Sequence, residues 1–341
     1  MWMLVLWIFL LVLGLALLVK GADWFVDGAA GIAVKCKIPA LIVGLTIVAF
    51  GTSAPELAVS VASAIGHSTD IAVGNVVGSN IANILLILGV SALIHNIPVH
   101  KNSLVLDFPV LLVASALLVG LGVWGRALEW WDGLILLALF AGYMTVLVLK
   151  AKKEIKTQPE LEKTVPAEEP QKEKKPAGKL KQWYERMTEK MWFLIVLTVL
   201  GLGMVAGGGT LFVEGAKYVA NYFNVPERII GLTVVAIGTS LPELVTSVMA
   251  AAKGETDIAI GNVIGSNIFN ILLIGGISSL IYPLAFTIEG NLIDALVAFA
   301  AAALLFVLAL LPKRRLGKVA GIVLLAAFLG YYVYLFLAPA V

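Results

Sequence analysis

Two glutamates, Glu56 and Glu243, stand 187 residues apart in nearly identical apolar surroundings. The first lies in GLTIVAFGTSAPEL, Gly44 to Leu57, followed by DIAVGNVVGSNIANILLI, Asp70 to Ile87. The second lies in GLTVVAIGTSLPEL, Gly231 to Leu244, followed by DIAIGNVIGSNIFNILLI, Asp257 to Ile274. Identity holds at 11 of 14 positions in the first segment and 15 of 18 in the second, without a gap, so the chain is an internal duplication. The same offset pairs Phe25, Pro39 and Asp107 with Phe212, Pro226 and Asp294, and an offset of 188 pairs Phe140, Gly142 and Tyr143 with Phe328, Gly330 and Tyr331. An ionisable residue at membrane depth is costly unless it is paired or functional, so a matched pair of acids marks a functional site.

The setting is membrane-like because the whole chain is. It is 60% hydrophobic and 13% charged, with a mean hydropathy of +0.98, where soluble domains carry roughly 25% charge. Apolar runs of about 20 residues suffice to cross a bilayer. Ten are expected, at 2–34, 39–64, 71–94, 104–124, 131–149, 192–221, 228–252, 258–281, 291–311 and 319–338. The N-terminal run lacks the positive start and cleavage site of a signal peptide and reads as a retained span. Residues 151–190, rich in Pro, Glu and Lys, cannot bury a core. They are expected to form a mobile cytoplasmic linker between a first repeat, 1–150, and a second, 191–341.

Five spans per repeat is an odd number, so the second repeat must enter the membrane from the opposite side. With the N-terminus outside, the inner loops hold Lys35, Lys37, Lys101, Lys253, Lys313, Arg314, Arg315 and Lys318, and the outer loops only Arg126, Lys217 and Arg228. That is the sense of the positive-inside rule. The fold expected is an all-α polytopic membrane protein: ten transmembrane helices in two inverted five-helix repeats, with helices 2, 3, 7 and 8 broken and both termini outside. Such repeats place substrate near the midplane on discontinuous helices. Gly51 and Pro55, and Gly238 and Pro242, should break helices 2 and 7, releasing carbonyls near Ala49, Thr52, Ala236 and Thr239. Gly74, Gly78, Gly261 and Gly265 should loosen helices 3 and 8, or pack them closely through small residues.

The polar groups gathered around the two acids are hydroxyls, amides and freed carbonyls. Neither Cys nor His is among them, so hard cations such as Ca²⁺ or Na⁺ fit better than Zn²⁺ or Cu. Two carboxylates neutralise one Ca²⁺, and without a cation they would repel strongly in low dielectric. GTSAPEL with GNVVGSNIANILL, and GTSLPEL with GNVIGSNIFNILL, resemble the two alpha-repeats of the cation/Ca²⁺ exchanger superfamily. The likeness is greatest to prokaryotic Na⁺/Ca²⁺ exchangers, which implies a prokaryotic cell membrane. It implies Ca²⁺ carboxylates at Glu56 and Glu243, helped by the Thr52 and Thr239 carbonyls. It implies Na⁺ positions drawing on Ala49, Ser53, Ser79, Ala236, Ser240 and Ser266, and a central position lined by Asn83 and Asn270. Some archaeal relatives carry Asp where Asn270 stands. Three Na⁺ for one Ca²⁺ is likewise what the family implies.

Ca²⁺ and Na⁺ are thus expected as transported substrates and the bilayer as partner. No cofactor, no nucleic acid and no enzymatic activity are expected, and the chain is read as a monomer. A proton-coupled Ca²⁺ antiporter, a K⁺-dependent exchanger, a cation channel and an intramembrane acid hydrolase are the rival readings. Asp23, Asp27, Glu214, Asp107 and Asp294 read as interface anchors or helix caps. Cys36 reads as an inert thiol, and His67, His95 and His100 as loop residues without a metal.

Overall fold

A computed structural model describes residues 2–161, 184, 186–223, 238–286, 291–311 and 314–337. The expectations for Ala236, Arg228, Lys313 and most of the 151–190 linker fall outside those residues. The first half begins with α1 (Trp2–Cys36) and a bent pair, α2 (Ala40–Thr52) and α3 (Ala54–Ile65). It continues with α4 (Thr69–Ile94), α5 (Lys101–Gly125) and α6 (Trp130–Leu161). The second half contributes α7 (Met191–Tyr222), α8 (Leu241–Lys253), α9 (Thr256–Ile281), α10 (Asn291–Leu310) and α11 (Lys318–Leu337). Eight of the described helices are long and apolar enough to cross a membrane, and the bent pair makes a ninth candidate. Past the end of the apolar run, α6 continues to Leu161 through Ala, Lys and Glu, residues that favour helix without needing burial.

Helix α2 meets α3 at Ser53 with a 47° bend, one residue before the Ala-Pro that opens α3. Pro55 brings no N–H to the Gly51 carbonyl, so the ladder cannot run straight through. Helices α4 and α9 behave differently from the expected break. Both stay continuous, each with a π-helical stretch, Ala82–Ile87 and Phe269–Gly275, beginning just before Asn83 and Asn270. A third π stretch, Gly44–Val48, lies in α2. Widened turns of this kind occur mostly at functional sites. In α9, Gly261 and Gly265 permit close approach instead of loosening the helix: a Cβ on Gly261 would stand 2.7 Å from the Leu41 carbonyl oxygen, and one on Gly265 2.8 Å from that of Leu45.

These motif helices occupy the centre. The apolar window of α9 is 94% buried and that of α4 72%, against 11% for α1, which therefore faces lipid. The long α1 and α7 lie against each other along their length and run antiparallel. Gly14 approaches Gly208 and Phe212, Gly21 approaches Gly201 and Val205, and Gly28 approaches Leu194 and Thr198. Lipid supplies no hydrophobic drive for helix association, so such a pair is held by close van der Waals packing over small residues. Gly14, Gly21 and Gly28 recur at intervals of seven, and their matches at offset 187 are Gly201, Gly208 and Gly215.

Two short strand pairs tie the halves together at their loops. Strand β1 (Ile97–Pro98) pairs antiparallel with β4 (Arg315–Leu316), and β2 (Ala127–Leu128) with β3 (Leu284–Ala285). Exchanging the halves turns one pair into the other. The Val99 N–H donates to the Arg314 carbonyl at 2.8 Å, and its match, the Phe286 N–H, donates to the Arg126 carbonyl at 2.8 Å.

The glycine contacts give a direct test. A Cβ on Gly21 would lie 2.7 Å from Met204 Cβ and 2.8 Å from the Gly201 carbonyl oxygen. Gly21→Val is expected to cost about 1–3 kcal/mol through overpacking, read as a lowered melting temperature in detergent. Gly142→Ala, where no described atom lies within 4 Å of the added Cβ, is expected to leave it unchanged or raise it.

Candidate ion-binding site

Glu56 enters from the first turn of α3 and Glu243 from the first turn of α8, each one residue after the proline that opens its helix. Both are essentially sealed from solvent, at 1% and 0% exposure. Their partners come from the opposite half. Ser53 Oγ donates to Glu243 Oε1 at 3.0 Å, and Ser240 Oγ lies 3.4 Å from Glu56 Oε1. The Ser240 hydroxyl also lies 3.1 Å from Ser79 Oγ, and with one proton it can serve only one of these acceptors at a time. Ser53, at the bend, and Ser240, just before α8, thus each lie against the carboxylate of the opposite half.

The second oxygen of each acid, Oε2, is buried with no partner among the described residues. So are both amide atoms of Asn83 and of Asn270 and the hydroxyl of Ser266. Asn83 sits in the π turn of α4, which packs on α8, and Asn270 in that of α9, which packs on α3. Buried polar atoms left unpaired need an account, and a set of oxygen donors around two carboxylates is one a hard cation satisfies.

Thr52 is fully buried, and its hydroxyl lies 3.1 Å from Asn262 Oδ1 and 3.4 Å from the Ala49 carbonyl. The Ala49 carbonyl also accepts the Ser53 N–H at 3.0 Å, so it stays in the ladder instead of being released, with at most one lone pair to share. Thr239 is half-buried and lines a cavity of about 220 Å³, together with Pro55, Pro242, Thr210, Glu214 and Lys217. That cavity lies between α3 and α7 and reaches the residues that open α8.

A supporting layer was not anticipated. Asn75 Nδ2 donates to the Glu56 carbonyl at 3.0 Å and to Ser60 Oγ at 2.9 Å, and Asn262 Nδ2 donates to Ser247 Oγ at 2.9 Å. From α4, Asn75 fixes the backbone at Glu56; from α9, Asn262 ties Ser247, one turn past Glu243, to the Thr52 hydroxyl of the other half. Their signal was available: Ser60 and Asn75 match Ser247 and Asn262 at offset 187. Asp107 and Asp294 join the frame and not the interface. Tyr143 donates to Asp107 at 3.1 Å and Tyr331 to Asp294 at 2.9 Å, pinning α5 to α6 and α10 to α11. His67 packs on Tyr282 and His100 pairs with Asp257, both away from the acids.

A sequence profile described as sodium/calcium exchanger protein matches residues 6–149 and 193–337, nearly all of both halves. The chain belongs to this family. Its relatives include the putative antiporter CaxA of Alkalimonas amylolytica, 41% identical over 98% of this chain and 99% of that protein. The sodium/calcium exchanger MaX1 of Methanosarcina acetivorans is 35% identical over 96% of this chain and 97% of its own. Among solved structures, the sodium-calcium exchanger NCX_Mj soaked with zero Na⁺ and Ca²⁺ superposes with a TM-score of 0.80 at 32% identity, covering 97% of this chain and 99% of that one. Membership in the exchanger family places the chain among transporters, not enzymes.

For this exchanger-family site the supporting layer makes a stability prediction. Asn75→Ala leaves Ser60 and the Glu56 carbonyl without their donor and is expected to cost about 1–3 kcal/mol. Ser91→Ala, at a buried hydroxyl with no described partner, is expected to be neutral or stabilising. Thermal unfolding of the two variants side by side checks this.

Proposed function

We propose that the chain is a secondary antiporter exchanging Na⁺ for Ca²⁺ by alternating access. The observation that carries the reading is the pair of buried carboxylates, each held by a serine of the other half and each keeping one unpaired oxygen. Glu56 and Glu243 bind Ca²⁺, with backbone oxygens of Thr52 and Thr239 beside them. Na⁺ takes the same carboxylates with Ser53, Ser79, Ser240, Ser266, Ala49 and Ala236, and Asn83 and Asn270 line the centre. The names of the relatives and the oxygen-only donor set support Na⁺ and Ca²⁺ as the substrates. The transporter works as a monomer in a prokaryotic cell membrane.

The chain crosses the bilayer ten times as two inverted repeats, with α8 and the residues before it forming the seventh span. Support comes from α1 and α7, which occupy matched places and run antiparallel, and from strand pairs that interchange when the halves do. A two-fold axis lying in the membrane plane has these consequences; one along the membrane normal would leave matched helices parallel. The loop charges support a topology with both termini outside and the linker inside.

Two measurements test the proposal. Glu56→Gln and Glu243→Gln keep an oxygen but lose the charge, and each is expected to lower Ca²⁺ uptake by at least about a hundredfold while the protein elutes as a folded species. Proteoliposomes loaded with Na⁺ are expected to take up Ca²⁺ faster under an inside-positive potential, because three charges leave for two that enter. The potential acts by up to about 2.3 kcal/mol per charge per 100 mV. Uptake that needs a pH gradient, ignores Na⁺ and is indifferent to voltage would make the chain a proton antiporter instead.

A further inference from the structure

The two halves match closely at the acids and differ at the two ends of the molecule. At the end where the linker joins α7, Lys253 at the close of α8 reaches α1. Its ammonium contacts Asp27 Oδ1 at 2.5 Å, Asp23 Oδ1 at 2.6 Å and the Asp23 carbonyl at 2.8 Å. All three donors are used. Lys20 holds the other Asp23 oxygen, and Tyr184, from the linker, donates to Asp27 Oδ2 at 2.9 Å. Burial and the Asp27 carboxylate hold the Tyr184 hydroxyl well above its usual titration range, so it remains a donor. Beneath this network α1 packs on α8 through Phe25, Val26, Ala29, Ala250 and Ala251. Asp23 and Asp27, expected as caps or anchors, are cross-helix partners.

The opposite end lacks the counterpart. At offset 187, Asp27 corresponds to Glu214 and Asp23 to Thr210, but Lys253 corresponds to Gly66, which has no side chain. Glu214 is half exposed, and among the described residues it pairs within its own helix, with Lys217 at 2.8 Å. There α7 and α3, the matches of α1 and α8, are parted by the cavity that reaches Pro55, Thr239 and Pro242. Val213 lines that cavity; its match, Val26, is 1% exposed.

We propose that Lys253, with Asp23, Asp27 and Tyr184, is a latch that closes the linker face and biases the protein toward the state open at the opposite face. This rests on the alternating-access reading, in which opening the linker face requires α1 to part from α8 as α7 is parted from α3 here. Lys253 is matched at the opposite face by Gly66, so the latch sets the resting balance between the two states. Through Tyr184 it also ties that balance to the linker.

Paired thiol reporters test it. In the full chain with Cys36→Ser, Val26→Cys and Val213→Cys are introduced separately and labelled with a water-soluble maleimide in detergent. The Val213→Cys thiol is expected to react quickly and the Val26→Cys thiol slowly. Lys253→Met is expected to speed the second about tenfold and slow the first, a reciprocal population shift, whereas Lys253→Arg leaves both near the parent rates. Rates unchanged by Lys253→Met, or rising together at both reporters, would overturn the latch. If Lys253→Met does not fold, Tyr184→Phe removes one hydrogen bond and is expected to shift both rates the same way by less; unchanged rates there overturn it equally. Labelling needs no ion flux, so reciprocal shifts in a protein that carries no Ca²⁺ would keep the latch and reject the antiport reading.

Discussion

Two carboxylates sealed in the middle of an apolar bundle set the terms for everything around them. Each charged group taken from water into such a place costs several kcal/mol unless it is paired and hydrogen-bonded. Glu56 and Glu243 each receive one serine hydroxyl across the interface and keep one oxygen unpaired. Nothing cationic from the protein reaches them among the described residues; the described lysine pairs are made with Asp23, Asp27 and Glu214 instead. A site built this way is stable only with its charge balanced from outside. The bend at Ser53, the π turns before Asn83 and Asn270, and the Asn75 and Asn262 supports all keep oxygen atoms facing a place that favours cations.

The packing follows from the same demand. Holding four motif helices close enough for Ser53 and Ser240 to reach the opposite acids requires thin interfaces, and α9 meets α2 through Gly261 and Gly265 against Gly44, Leu41 and Leu45. The outer pair, α1 and α7, is thin for a different reason. It faces lipid, where apolar side chains gain nothing by meeting each other, so glycines at intervals of seven let two backbones touch.

Much of this was legible in the chain because duplication makes a sequence comment on itself. The acids, the serines, the prolines and the GSN segments stood out since each had a twin at offset 187, and the structure brings those twins to one interface. The same offset carried the glycine ladder and the Ser60–Asn75 support, but small residues and an isolated amide look ordinary until a neighbour is known. What the sequence could not show was which half each side chain would serve. Ser53 lies three residues from Glu56 yet binds Glu243, and the contact depends on how the two halves pack, not on local spacing. The glycines of α9 were ambiguous for a related reason: only the facing helix decides whether a missing side chain loosens or tightens.

Duplication also explains why the departures from symmetry carry meaning. Two inverted halves with identical contacts would give two states of equal energy, since exchanging the conformations of the halves exchanges the open faces. A transporter needs the states close in energy, because a gap of about 5.5 kcal/mol separates a population of 1:99 from 99:1. A conserved geometry at the acids keeps ion binding alike in both states, while residues at the ends are free to differ. Lys253 against Gly66 is such a difference, placed at the opposite end of α8 from Glu243. Through such a difference the resting state can be tuned without altering what the carboxylates bind.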